Sequence, residues 1–361
     1  MAALKKAAPN SLVHICVQEP DRVEPLRAAL HEADLRGDIT VGVYDGESVP
    51  FVSNFVNLLL VGDGVKVPRA ELLRALAPTG KAKIGAKVIT KPRPGEMDQW
   101  PQYLYDSSGN AVSSDTLLRP PLFHSQWTGG PRWSRHHDTM SSVSACVGGD
   151  KKLFYIFDEG NPFSPLLPSD WKVIARDAFN GTILWKRDID RWIPNLHSLK
   201  SGPANIPRRI VVDGNTLYVT LGLESPVSAL DTATGKTRKV LKGTRQTEEI
   251  VYEGGRLFLI VDRLKDKPET GNPPRYGAKT WDQREKEILC YDLNTDRIVW
   301  RKSSSWVAPL TLAVFGEKVF FFDGKKIVAL DKYTAGQLWT SKDIPGPKWA
   351  VGSAPKLLVQ D

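Results

Sequence analysis

One pattern, repeated four times, constrains this chain more than any other feature. Ile174-Ala175-Arg176-Asp177 leads to Gly181 and Trp185, and Ser228-Ala229-Leu230-Asp231 leads to Gly235 and Lys239. Leu289-Cys290-Tyr291-Asp292 leads to Asp296 and Trp300, and Val328-Ala329-Leu330-Asp331 leads to Gly336 and Trp339. In every copy with an indole, the Trp stands eight residues after the Asp. Such self-similarity marks a repeat architecture. Its physical sense is a hairpin: the Asp carboxylate accepts bonds from turn N–H groups, the Gly takes a positive φ, and the returning strand carries a large ring able to pack between neighbouring units.

A second hairpin precedes each copy. Val143 to Phe157 turns around Gly148-Gly149-Asp150, Ile210 to Leu221 around Asp213-Gly214-Asn215, Glu249 to Val261 around Gly254-Gly255, and Leu312 to Phe322 around Gly316-Glu317. Two hairpins make a four-stranded unit, the blade of a propeller. The motif Asp residues 177, 231, 292 and 331 lie 54, 61 and 39 residues apart, so the shortest interval is near one bare blade and the longer ones carry loop insertions. The clearest insertion runs from Asp262 to Trp281.

These repeats resemble the PQQ-like propeller family, whose motif Ala-Leu-Asp-x-x-Thr-Gly-x-x-x-Trp is matched best by Ala229 to Gly235 and Ala329 to Trp339. The resemblance covers residues 98 to 361, beginning with Asp98-Gln99-Trp100-Pro101-Gln102-Tyr103. The succession Lys91-Pro92-Arg93-Pro94, Ser108 to Val112, Pro131 to Asp138 and Phe157-Asp158-Glu159-Gly160 further resembles bacterial proteins that join a methyltransferase-like domain to this propeller. The family resemblance implies fold rather than chemistry, because scaffold propellers of bacterial envelope assembly carry the same repeat without a quinone. PQQ dehydrogenases use a calcium site, a stacking Trp and commonly a pair of adjacent cysteines. Cys16, Cys146 and Cys290 are far apart. No cofactor is therefore expected, with PQQ plus calcium as one alternative.

The first 92 residues differ in kind, and all eleven Trp lie at or beyond residue 100. Leu12 to Val17 suits a strand, Asp21 to Leu35 a helix, Ile39 to Tyr44 and Phe55 to Val61 two further strands, a helix follows Pro68 through Leu76, and Lys83 to Ile89 forms a fourth strand. Alternating strands and helices predict a mainly parallel sheet. The order resembles the later half of an S-adenosylmethionine methyltransferase domain, a partial Rossmann-like segment. That resemblance implies Glu19 for the ribose role and Asp45 for the position flanking the adenine. The Gly-rich loop that would let backbone N–H groups approach the cofactor is absent, so S-adenosylmethionine is a second alternative only. The expected organisation is a partial α/β segment over 1–92 and propeller repeats over 93–361.

Arg135-His136-His137-Asp138 is the densest polar run. Adjacent histidines on a strand face opposite sides, and no further ligands are spaced nearby, so a hydrogen-bonded structural role before the first blade is expected rather than a metal site. Asp158-Glu159 offers paired carboxylates at a strand end, where turn chemistry is the usual use. Trp171, Trp192, Trp281 and Trp306 fall outside the repeat position and are expected in the core. The formal charge is +8. Its cations are dispersed in pairs such as Lys151-Lys152 and Arg208-Arg209 beside turns, where a solvated surface is expected, and no nucleic-acid signature is present. No segment reaches transmembrane length; with Met1 as the true start the chain is expected to be cytoplasmic. Trp349 to Val359 repeats a first hairpin without its second, predicting an incomplete propeller of about four and a half blades. The expected function is a non-catalytic binding or scaffold propeller, with a protein or small-molecule partner, carrying a methyltransferase-like remnant. A methyltransferase and a quinone-dependent oxidoreductase are the rival readings.

Overall fold

A computed structural model of the chain describes residues 9–35, 37–119, 121, 124–130, 143–164, 166–193, 205–263 and 285–344. Residues 135–138, 197, 281 and 349–359, which carry several of the expectations above, lie outside the described residues. The chain divides into two compact units: Met1–Asp98 with Ser114–Gly129 and Arg176–Leu184, and the remainder.

In the first unit β1 (Val13–Val17) runs parallel to β2 (Ile39–Val43), connected through α1 (Val23–Glu32). β3 (Val56–Val61) runs parallel to β4 (Leu76–Ile84), connected through α2 (Arg69–Ala75), and β4 pairs antiparallel with β5 (Lys87–Thr90). Two small sheets thus replace the single, mainly parallel sheet expected. Three elements also differ locally from those expected. The expected helix over Asp21 to Leu35 begins with a 3-10 turn at Pro20–Arg22 and ends before Asp34, whose φ of +53° breaks the helical path. The second helix stops at Ala75 because Pro78 has no N–H to donate and Leu76 is already extended, so Leu76 opens a strand. The expected strand over Lys83 to Ile89 folds back at Gly85, φ +56°, into the β4–β5 hairpin.

Leu72, Leu76, Ala82 and Ile89 form one buried cluster of this unit, and Tyr44, Val49 and Ala75 another. Arg74 fastens the loop between β2 and β3: Nε and Nη2 donate to the two oxygens of Glu71 at 2.7 and 2.6 Å, and Nη1 donates to Phe51 O at 2.8 Å. The Arg74 hydrogen bonds hold the Glu71 carboxyl below its ordinary range.

Among the described residues the chain forms four antiparallel sheets of four strands each, like propeller blades, all in the second unit except residues 176–184 of the first sheet. Their strands are β6 (Val143–Gly149), β7 (Lys152–Asp158), β8 (Trp171–Asp177) and β9 (Ile183–Asp188); β10 (Ile210–Asp213), β11 (Thr216–Thr220), β12 (Val227–Asp231) and β13 (Thr237–Val240); β14 (Thr247–Glu253), β15 (Arg256–Asp262), β16 (Lys286–Asp292) and β17 (Arg297–Ser304); and β18 (Ala313–Phe315), β19 (Lys318–Phe322), β20 (Ile327–Asp331) and β21 (Gln337–Thr340). All eight expected hairpins are present. Buried apolar side chains of successive sheets merge into shared cores, Val211 to Tyr291 in one and Val251 to Ala335 in the next.

The motif Asp works as its type dictates. Oδ1 of Asp177 accepts from Phe179 and Asn180 N–H, Oδ1 of Asp231 from Ala233 and Thr234, Oδ1 of Asp292 from Asn294 and Thr295, and Oδ1 of Asp331 from Tyr333 and Thr334, all between 2.8 and 3.1 Å. The positive φ falls four residues after the Asp in every copy: Gly181 at +73°, Gly235 at +68°, Asp296 at +59° and Ala335 at +60°. In the last copy the left-handed residue is therefore Ala335 and not Gly336.

Two of the motif indoles, Trp185 and Trp300, reach the turn of the following sheet. Trp185 Nε1 donates to Thr232 O at 2.9 Å and Trp300 Nε1 to Lys332 O at 2.8 Å, in both cases the carbonyl one residue after the motif Asp. Within the first unit, Trp127 does the same to Ala178 O at 2.9 Å. The rings lie so close that a Cβ on Gly235 would stand 2.6 Å from Trp185, and one on Gly181 2.4 Å from Trp127. Where the ring is replaced by Lys239, the turn glycine is replaced by Asp296, and the two form an ion pair. The repeat thus exchanges a ring on a glycine for a cation on a carboxylate.

One segment ties the first strands of all four sheets. Trp100 exchanges backbone bonds with Gly148 of β6, Pro101 O accepts from Val212 N of β10, the Gln102 amide bonds both backbone groups of Tyr252 in β14, and Ser107 O accepts from Val314 N of β18. Ser107 Oγ also donates to Glu253 at 2.5 Å.

Candidate binding site at the strand ends

Buried charge is concentrated where the chain runs into β10 and β14. A 3-10 turn, Ile206–Arg209, starts on Pro207 and is fixed by the fully buried Ile206. It delivers two consecutive arginines into the interior, Arg208 at 3% and Arg209 at 5% exposure. This overturns the solvated surface pair expected of Arg208-Arg209. The packed turn carries both side chains inward.

Arg208 is fully engaged. Nη1 lies 3.2 Å from Glu249 Oε2 and donates to Leu312 O at 2.5 Å. Glu249 Oε1 in turn accepts the Leu310 N–H at 2.8 Å, holding Leu310 at a φ of +63° that a bulky side chain rarely adopts. Burial pushes the Glu249 carboxyl up, and the Arg208 charge draws it back. Lys286, 3% exposed, faces Glu248 at 3.1 Å and Asp262 at 3.4 Å. Buried charges persist when paired in this manner.

Arg209 is placed differently. Nη1 donates to Leu223 O at 3.0 Å, the guanidinium lies 5.6 Å from the Trp192 ring centroid, and Nε has no partner among the described residues. Burial pulls this guanidinium down to about 10. Trp192 is itself held by a 3.3 Å bond from Nε1 to Ser144 Oγ. Leu223 also walls a cavity of about 260 Å³ with Asp190, Arg191, Gly222, Glu224, Ser225, Pro226 and Arg245. Backbone bonds from Asp190 to Leu221, from Leu223 to Arg191 and from Gln246 to Glu224 tie these loops together, and Glu224 lies 3.5 Å from Arg191 and 3.7 Å from Arg245.

The residues singled out by sequence serve local structure. Glu19 is exposed and faces Arg22 at 3.6 Å. Asp45 Oδ1 accepts the N–H groups of Glu47 and Ser48, both at 2.8 Å, and these bonds, Ser48's first, hold the carboxyl below its ordinary range. Asp158 is buried, and its Oδ1 accepts from Gly160 at 2.9 Å and Asp170 at 2.7 Å, closing the β7–β8 loop. Glu159 pairs with Lys186 at 2.6 Å. Arg135, His136, His137 and Asp138 lie outside the described residues. Trp171, Trp192 and Trp306 are buried as expected. Among the described residues no group of three His, Cys, Asp or Glu side chains is arranged to hold a metal, and Glu249 and Asp262 already face protein cations. Pro207 before two arginines is the one sequence signal that the cluster offered, and it is weak because only packing distinguishes a buried pair from a surface one.

No family model matches the chain, and no curated protein matches it. Among solved structures, quinohemoprotein alcohol dehydrogenase from Comamonas testosteroni is 14% identical over 70% of this chain and 42% of that one, with a TM-score of 0.39. BamB from Moraxella catarrhalis is 16% identical over 56% and 62%, TM-score 0.31, and a europium-containing methanol dehydrogenase is 10% identical over 68% and 49%, TM-score 0.37. The chain spans less than half the length of either dehydrogenase, and the activities of those proteins are not carried to it.

Proposed function

We propose that the chain is a non-catalytic, propeller-type binding module, its α/β segment a methyltransferase-like remnant. The observation that carries this reading is the engagement of ionisable groups in holding loops and sheets: Glu249 with Arg208 and Leu310, Lys286 with Glu248 and Asp262, Asp158 with its own loop, and Asp45 with its own turn. A general acid or base must have a proton acceptor or donor face free for substrate. These groups have theirs turned onto the protein. Binding by loops on a rigid scaffold is what such an arrangement supports, and the cavity by Leu223 is its natural seat.

The test is thermal unfolding of the whole chain with added S-adenosylmethionine, and separately with PQQ plus calcium. A ligand of the native state must raise the melting temperature in a saturable way. The reading expects no shift with either. A saturable shift at micromolar concentration with the first would restore the methyltransferase reading, and with the second the oxidoreductase reading.

A further inference from the structure

Three cations are buried at the strand ends, and two have carboxylates against them. Arg208 has Glu249 at 3.2 Å, and Lys286 has Glu248 at 3.1 Å and Asp262 at 3.4 Å. Arg209 has no carboxylate within 4 Å among the described residues; Glu248 and Glu249 act on it only from a distance, each already facing another cation. Its one hydrogen bond among the described residues goes to a neutral carbonyl, Leu223 O. Leaving a charge in the interior without a counter-charge is costly, and proteins seldom keep one so.

A second orphan stands at the same end of the same ladder. Ile210 pairs with Val219, so Arg209, directly before Ile210, and Thr220, directly after Val219, emerge together from the end of the β10–β11 pair. Thr220 is fully buried, and its Oγ1, like Arg209 Nε, has no partner among the described residues. A guanidinium N–H and a hydroxyl are both donors, and both lack an acceptor. The Trp192 ring covers the guanidinium and contributes no acceptor of its own, since its Nε1 is a donor already committed to Ser144.

We propose that Arg209 Nε and Thr220 Oγ1 form a binding site for a small monovalent anion, either a halide or the carboxylate of a small acid. The anion supplies the counter-charge that Arg209 lacks and accepts from both orphan donors. The inference is independent of the reading of the chain as a binding module, because it rests on local charge and hydrogen bonding alone.

Thermal unfolding at constant ionic strength tests it, with sodium gluconate exchanged stepwise for sodium chloride in one arm and for sodium formate in the other. Gluconate is the control because it is too bulky for a site of two donors. The proposal expects a saturable rise of about 2 °C or more at saturation in at least one arm. A response to chloride alone identifies a halide site, and a response to formate identifies a carboxylate site. Thr220→Val, which keeps the charge and removes one donor, should raise the midpoint concentration of that response about five-fold or more, and Arg209→Met should abolish it. Crystals of the unmutated chain grown in sodium bromide offer a readout free of any folding defect: an anomalous peak within hydrogen-bonding distance of Arg209 Nε and Thr220 Oγ1. Equal melting in all three salts would overturn the proposal in favour of an ordered water, as would density at that point without an anomalous signal in a bromide crystal of a chain whose melting responds to chloride.

Discussion

Replacing Trp185 by Ala isolates the joint between neighbouring sheets. The side chain is 7% exposed, its ring centroid lies 6.0 Å from that of Phe154, and its Nε1 donates to Thr232 O at 2.9 Å. Truncating a buried aromatic to Ala costs about 3 to 5 kcal/mol, a range that includes the cavity left behind. The Thr232 carbonyl loses about 1 kcal/mol of hydrogen bond in the same step. A loss of about 4 to 6 kcal/mol is therefore expected. Trp339 occupies the same repeat position and packs on Phe320 at 5.9 Å, yet it is 44% exposed and its indole nitrogen has no bond among the described residues. Trp339→Ala should cost about 1 kcal/mol or less. Urea unfolding followed by far-ultraviolet circular dichroism, with near-ultraviolet dichroism to check that the transitions coincide, measures both. Equal losses for the two variants, or a loss under 1 kcal/mol for Trp185→Ala, would refute the joint as described.

Gly235→Ala should cost about 2 kcal/mol or more in the same assay, since φ is +68° and the new Cβ would stand 2.6 Å from the Trp185 ring. The exchange seen within the repeat can be imposed: Lys239→Trp and Asp296→Gly made together should be more stable than the sum of the two single changes by about 1 to 2 kcal/mol in a double-mutant cycle, and strict additivity would contradict it. Asp231 is drawn down to about 2, first by its Thr234 hydrogen bond and then by Arg238. A depressed carboxyl contributes stability above its unfolded value, near 3.8, and loses it as pH falls toward 2. Asp231→Asn should therefore flatten the fall in melting temperature between pH 4 and 2, and an unchanged slope would count against that assignment.

The repeat made the second unit readable. The Asp turn, the eight-residue step to the ring and the paired hairpins are local rules, and each of β6 to β21 lies where those rules put it. Misreadings arose where a neighbour rather than the local sequence decides. The left-handed residue falls on Ala335 because the turn is counted from Asp331, although glycine stands next to it. Lys83 to Ile89 looked like one apolar strand, and the Gly85 turn divides it. Arg208-Arg209 looked solvated because nothing in two adjacent cations tells of Glu249, forty residues on, or of Trp192 before them. The segment from Trp100 to Ser107 has no periodicity at all, and its bonds to four different strands exist only once those strands are assembled. The carboxylates chosen for chemistry, Asp45 and Asp158, bond within their own loops, the common use of acidic residues at strand ends.

The claim that buried charge here holds the sheets rather than performing chemistry is tested most directly at Arg208 and Glu249. Glu249→Gln leaves the Leu310 bond possible but strands the Arg208 charge in the interior, and should destabilise the chain by about 3 to 5 kcal/mol in urea unfolding. Arg208→Met combined with Glu249→Leu removes both charges together and should recover most of that loss. If Glu249→Gln unfolds at the same urea concentration as the unmutated chain, Arg208 is not held by that carboxylate and the structural role assigned to the cluster is contradicted.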